Sequence, residues 1–211
     1  MINDLDRLIE KTKGFMDPEE GQRLHALAQE ASLLGPCLEI GSYCGKSALY
    51  IGSACRKTRS ILFSIDHHRG SEEQQPGELY FDPGLIDPVT LEIDTLRHFR
   101  ATLQAAGLEE TVVPIVCRSE IAAKAWKTGL GMVFIDGSHA YESALLDYQL
   151  WSPHIVPRGF LVFHDIFKDP AEGGLAPYRV YCEALESRLF DELPMTKTLG
   201  VLRRKATMTH A

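Results

Sequence analysis

The most constraining feature of this chain is an alternation of short apolar runs with amphipathic stretches from residue 37 onward. "CLEIGS", "SILFSID", "VVPIVC", "GMVFID" and "GFLVFHD" each read as a short buried strand. Between them, "KSALYIGSACRK", "DTLRHFRATLQAAGL", "EIAAKAWKTG" and "AYESALLDYQLW" read as helices, followed by a helix at "YRVYCEALESRL" and a terminal strand at "LGVLRRK". Strands that alternate with helices must pair in parallel and cross over right-handedly. The expectation is therefore a doubly wound α/β fold with a mostly parallel sheet and helices on both faces. In such folds ligands sit beyond the carboxyl ends of the strands.

One further helix precedes the alternation. In "MDPEEGQRLHALAQEASLLG", Asp17 stands as N-cap, Pro18 in the first helical position and Glu20 where a capping box needs it. Leu24, Leu27, Ala31 and Leu34 follow at helical spacing, and Gly35 ends the run. Residues 1–35 thus form the N-terminal helices of one domain spanning 1–211. Residues 67–93 break the rhythm, with three prolines and three glycines. A loop that long inside a compact domain is a lid or an insertion. Its Tyr80, Phe81 and Leu85 are placed to cover an apolar acceptor, with Asp82 or Asp87 near its hydroxyls.

Composition narrows the function. The net charge of −7 offers no basic stripe for nucleic acid, and no apolar stretch reaches membrane-spanning length. "MINDLDRLIE" has acids where a secretory leader needs positive charge. Five cysteines without a Cys-x-x-Cys pair fit free thiols in a reducing cytoplasm. The partners expected are a small-molecule acceptor and, from the apolar surface of the N-terminal helix and insertion, a second copy of the chain as a homodimer.

The loop "EIGSYCGKS" (39–47) ends like a phosphate-binding loop. A nucleoside-triphosphate loop needs a glycine five residues before Gly45, and that position holds Ile40. A dinucleotide loop needs a glycine where Tyr43 stands, and a tyrosine keeps pyrophosphate off the backbone. A nicotinamide dehydrogenase is disfavoured for that reason. Glu39 before the glycines would repel a phosphate but suits an ammonium or sulfonium. Asp66, ending the second strand, stands where ribose hydroxyls are held. The loop reads as a site for an adenosine compound with a positive centre.

"CLEIGSYCGKSA", "SID", "FIDGSHAYESALLDYQLW" and "GFLVFHDI" together resemble the class I S-adenosylmethionine-dependent methyltransferases. Within them the nearest branch is the small single-domain group with an Asp-Gly-x-His segment, akin to sugar and natural-product O-methyltransferases. The resemblance implies a Rossmann-like seven-stranded sheet in which "LGVLRRK" is the one antiparallel strand, inserted near the edge. It implies that Gly41, Ser42, Tyr43 and Gly45 line the methionine moiety, that Glu39 meets its ammonium through water and that Ser47 caps the following helix. It places Asp66 on the ribose, His67 against the adenine or ribose, and Ser119 beside the adenine. Relatives carry an acid before an alanine at that last point, where this chain reads "RSE". Asp136 belongs to both the cofactor and the catalytic set.

For the chemistry, His139 is the candidate general base, because a near-neutral pKa suits removal of a hydroxyl proton. A divalent cation is the rival device. Asp136 at the fourth strand end, with His164 and Asp165 at the fifth, could share Mg²⁺ or a transition metal. Catechol-type relatives add an Asn where this chain has Ile166. The activity expected is O-methylation of a sugar, phenol or polyketide-type hydroxyl. N-methylation of a small amine and a non-catalytic, cofactor-binding assembly protein are the alternatives.

Overall fold

The computed structural model describes residues 4–206; residues 1–3 and 207–211, the ends of the expected domain, lie outside them. Two helices, α1 (Asp4–Lys11) and α2 (Pro18–Ala31), precede the alternation. Then follow β1 (Cys37–Ile40), α3 (Lys46–Thr58), β2 (Leu62–Ile65), α4 (Leu96–Ala106), β3 (Val112–Ile115), α5 (Ser119–Ala123), β4 (Leu130–Ile135), α6 (Tyr141–Trp151), β5 (Ile155–Phe163), α7 (Ala176–Glu186), β6 (Phe190–Thr196) and β7 (Leu199–Arg204). The seven strands form one sheet in the order β3-β2-β1-β4-β5-β7-β6. β7 runs antiparallel to both neighbours, and the strands from β3 through β5 pair in parallel.

The central strands are short and apolar because helices cover them on both sides. β1 and β4 are buried at every residue. On one face α2, α3 and α4 contribute Leu24, Leu27, Leu49, Ile51, Phe99 and Leu103. On the other, α6 and α7 contribute Ala144, Trp151, Val180 and Tyr181. Sheet hydrogen bonding continues one residue past the strand ends. The amides of Gly41, Asp66, Asp136 and His164 donate to the carbonyls of Ile65, Ile115, Ile40 and Ile135. All four residues therefore stand level at one edge of the sheet, around the β1–β4 switch point where ligands bind.

Three local expectations change. α5 is a single turn ending at Ala123, because Trp126 turns away to pack edge-on against Phe63 and Trp151. The strand β6 went unread: "FDELPMT" carries two acids and Pro194, which only an edge strand tolerates. At α2, Asp17 does cap, its side chain accepting from the Glu19 amide at 2.8 Å, but Glu20 does not complete a box. Its carboxylate turns into the protein instead, accepting from the amide and hydroxyl of Thr198, both at 2.7 Å.

Candidate active site

The residues beyond β1, β2, β3, β4 and β5 open onto one cavity of about 1290 Å³. Residues 13–16, the 67–93 insertion and the segment after β5 wall its outer side. The glycine loop forms its floor. Gly41 has φ +86°, and a Cβ there would stand 2.1 Å from the Asp136 carbonyl, so no larger residue fits between the β1 and β4 tips. Tyr43 also adopts the left-handed region, at φ +46°.

What holds that loop is Asp66. Its Oδ2 accepts from the amides of Ser42 and Tyr43, both at 2.9 Å, and its Oδ1 from the His68 amide at 2.7 Å. A carboxylate has about four acceptor sites, so room remains for an outside hydroxyl. The Ser42 hydroxyl, by contrast, is buried in the cavity floor and has no hydrogen-bond partner among the described residues. Lys46 does not reach back over the loop; its ammonium donates to the Gly14 carbonyl at 3.1 Å.

Glu39 and Ser47 require correction. Glu39 is fully buried beneath the loop, its oxygens accepting from the hydroxyls of Ser47 (2.8 Å) and Ser64 (2.6 Å). Burial pushes its carboxyl up to about 7, against the pull of those hydrogen bonds. It has no surface for a ligand ammonium. Ser47 lies inside α3 and gives its hydroxyl to Glu39, so it does not cap the helix, whose N-cap position is Gly45. His67 lines the cavity as expected, whereas the neighbouring His68 points into the core. It is buried against Phe99, with Nδ1 2.7 Å from the Thr95 hydroxyl.

At the other end stands a chain of charges. His164 Nδ1 faces Asp136 Oδ1 at 3.1 Å and Asp165 Oδ2 at 3.2 Å, while its Nε2 faces Glu20 Oε2 at 3.1 Å. An imidazole with carboxylates at both nitrogens must donate from both, which makes it an imidazolium. Burial opposes that charge, but Asp136, Asp165 and Glu20 outweigh it and hold His164 far above its ordinary value. His139 repeats the pattern in the open cavity, with Nε2 3.0 Å from Asp165 and Nδ1 3.1 Å from Glu73 of the insertion. The hydrogen bond to Asp165 leads in raising it to about 9. Burial raises Asp165, yet the two histidines overcome that and hold it well below the usual carboxylate range; burial leaves Asp136 raised.

The expected metal set changes accordingly. His164 has no free lone pair to offer a cation. Asp136, His139 and Asp165 instead bring one ligand atom each within 4.8 Å of one another. Of the insertion residues, Tyr80 lines the cavity, whereas Leu85 is buried with Cys44 and Ile93, anchoring the loop. Asp82 forms an ion pair with Lys13, and Asp87 accepts from the amides of Val89 and Thr90.

Residues 38–166, more than half of the chain, match the model of a family described as a methyltransferase domain. The chain belongs to the methyltransferase-domain family. Solved structures agree in fold. The SAH-bound methyltransferase PaMTH1 of Podospora anserina superposes with a TM-score of 0.69 at 15% identity, covering 97% of this chain and 89% of its own. The O-methyltransferase of Bacillus cereus in complex with SAH gives 0.63 at 13%, covering 95% and 89%. The O-methyltransferase TomG of Streptomyces achromogenes, in complex with SAM, gives 0.60 at 16%, covering 96% and 86%. Among the described residues no helix is long and apolar enough to cross a membrane.

Three residues of this methyltransferase's site escaped the sequence reading: Glu73 and Asp147, which line the cavity, and Glu20, buried behind His164. Glu20 carried a local signal for something else, a capping box. Glu73 lay in a loop without periodicity, and Asp147 looked like any polar residue of a helix.

Proposed function

We propose that the chain is an S-adenosylmethionine-dependent methyltransferase that methylates a hydroxyl of a small molecule. The observation that carries the reading is the bond between Asp66 and the loop. The Ser42 and Tyr43 amides, which a phosphate site would aim at its ligand, are already given to a carboxylate. A pyrophosphate or triphosphate would meet negative charge there. An uncharged ribose would meet the remaining acceptor capacity of Asp66, and the orphaned Ser42 hydroxyl supports a polar ligand group directly over the loop.

S-adenosylmethionine supplies an electrophilic methyl on a sulfonium. The chain's residues align the acceptor and handle its proton. Held over the loop, its methyl would pass to the acceptor oxygen and leave S-adenosylhomocysteine, while the hydroxyl proton would pass to a ring nitrogen of neutral His139. With a pKa of about 9, His139 is neutral in roughly one molecule in a hundred at pH 7, so this chemistry belongs to alkaline conditions. Asp165 and Glu73 fix its ring and stabilise the imidazolium that proton transfer forms.

A second device rests on the trio Asp136, His139 and Asp165. A divalent cation held there would take the place of the His139 proton and stabilise an acceptor alkoxide. The imidazolium of His164, already lying between Asp136 and Asp165, favours the metal-free arrangement. The test is transfer of labelled methyl from S-adenosylmethionine to a panel of sugars, phenols, polyketides and amines. Label on hydroxyl compounds supports the reading; label on amines alone replaces it with N-methylation.

A further inference from the structure

Asp147, in the second turn of α6, is a buried acid that the chemistry above does not use. It is 7% exposed, and among the described residues its hydrogen-bond partner is the Ser119 hydroxyl, which donates to Oδ1. Burial pushes it up to about 6; the Ser119 bond opposes this, and Glu120 adds to it, with no cation among the groups that act on it. Both Asp147 and Ser119 line the cavity, together with Cys117, Ser143 and Leu146. Oδ2 of Asp147 lies beside Gly137, 3.5 Å from where a Cβ on that cavity-lining glycine would stand. A carboxylate removed from water and given one hydroxyl lacks a donor.

Its place along the cleft says what that donor is. Asp66 stands at the tip of β2, and the charged chain of His139, Asp165 and His164 at the tips of β4 and β5. Ser119 opens the helix after β3, the next strand out from β2. A nucleoside with its ribose at Asp66 and its reactive end toward His139 extends its base toward Ser119. Resting on the cofactor reading above, we infer that Asp147 accepts a hydrogen bond from the exocyclic amine of that base, selecting adenine. The acid is supplied across the cleft by α6, and Ser119 orients it.

The experiment compares S-adenosylhomocysteine with its 6-deamino analogue, which carries purine in place of adenine, by calorimetric titration of the full chain. Wild type should bind the adenine compound about tenfold or more tightly, the scale of one hydrogen bond to a buried acid. Asp147→Ala should lose that factor for the adenine compound while its affinity for the purine compound stays within about threefold. Asp147→Asn preserves shape and an acceptor for Ser119, and should show a smaller loss of the same kind should the alanine variant fail to fold. Equal weakening toward both compounds would mean that Asp147 only ties α5 to α6, and would overturn the inference. So would a wild type that does not distinguish them. A wild type that binds neither would bring down the cofactor reading and this inference together.

Discussion

Glu20, in the first turn of α2, lies 3.1 Å from Nε2 of His164 at the tip of β5, across 144 residues of sequence. Both side chains are 4% exposed. The pair joins the N-terminal helices to the reactive edge of the sheet. Through His164 it reaches Asp136 and Asp165, through Asp165 it reaches His139, and through His139 the insertion at Glu73.

Removing one end of that chain leaves a buried cation short of a partner. Glu20→Ala is expected to destabilise the protein by about 3 kcal/mol, in the range for a broken buried ion pair. Urea unfolding measures it. Glu20→Gln, which keeps an acceptor toward Thr198, should lose less. An alanine variant as stable as wild type would show that His164 is not held as a cation.

His139 gives the reaction a pH signature. Its folded value of about 9 lies above the ordinary 6.5, so the ring is protonated through the neutral range. As the base it must be neutral, and kcat/KM should rise with pH and level off above about 9. Glu73→Gln removes one of the charges that raise it and should shift the profile toward lower pH. His139→Ala should reduce turnover by about 10²-fold or more.

Glu39 gives stability a different dependence. Its folded value of about 7 exceeds the ordinary 4.5 because burial favours the neutral carboxyl. Its contribution is complete below 4.5 and is lost as pH rises through about 7. Glu39→Gln should therefore be nearly neutral at pH 4.5 and gain on wild type by about 3 kcal/mol above pH 8. Thermal unfolding of both proteins across that range is the check, with a constant difference contradicting the assignment.

The metal question has its own outcome. With the His164 imidazolium already between Asp136 and Asp165, turnover of chelator-treated protein should stay within about twofold of that measured with added Mg²⁺. A saturable rise of tenfold or more, abolished in Asp165→Ala, would favour the cation at Asp136, His139 and Asp165.

The fold was legible because parallel strands under two helical layers leave a strong mark, continuous apolar runs such as those of β1 and β4. Only β6, an acidic edge strand with a proline, lacked it. At the site, residues carried by the strand tips themselves could be placed: Gly41, Asp66, Asp136 and His139 all reach the cavity. What could not be read were side chains whose partners are remote. Glu20 satisfied a helix-start pattern at short range while bonding His164 and Thr198 at long range. Glu39 sat in the right register for a ligand, but the hydroxyls of Ser47 and Ser64 take both its oxygens below the loop. Asp147 became visible only when α6 packed beside α5.

The most direct test is a calorimetric titration of the chelator-treated chain with S-adenosylmethionine, NAD and ATP in turn. The account predicts binding of S-adenosylmethionine at one site, lost in Asp66→Ala, with no heat from the other two. Binding of NAD or ATP without S-adenosylmethionine would contradict the reading of the Asp66-held loop, and the proposed activity with it.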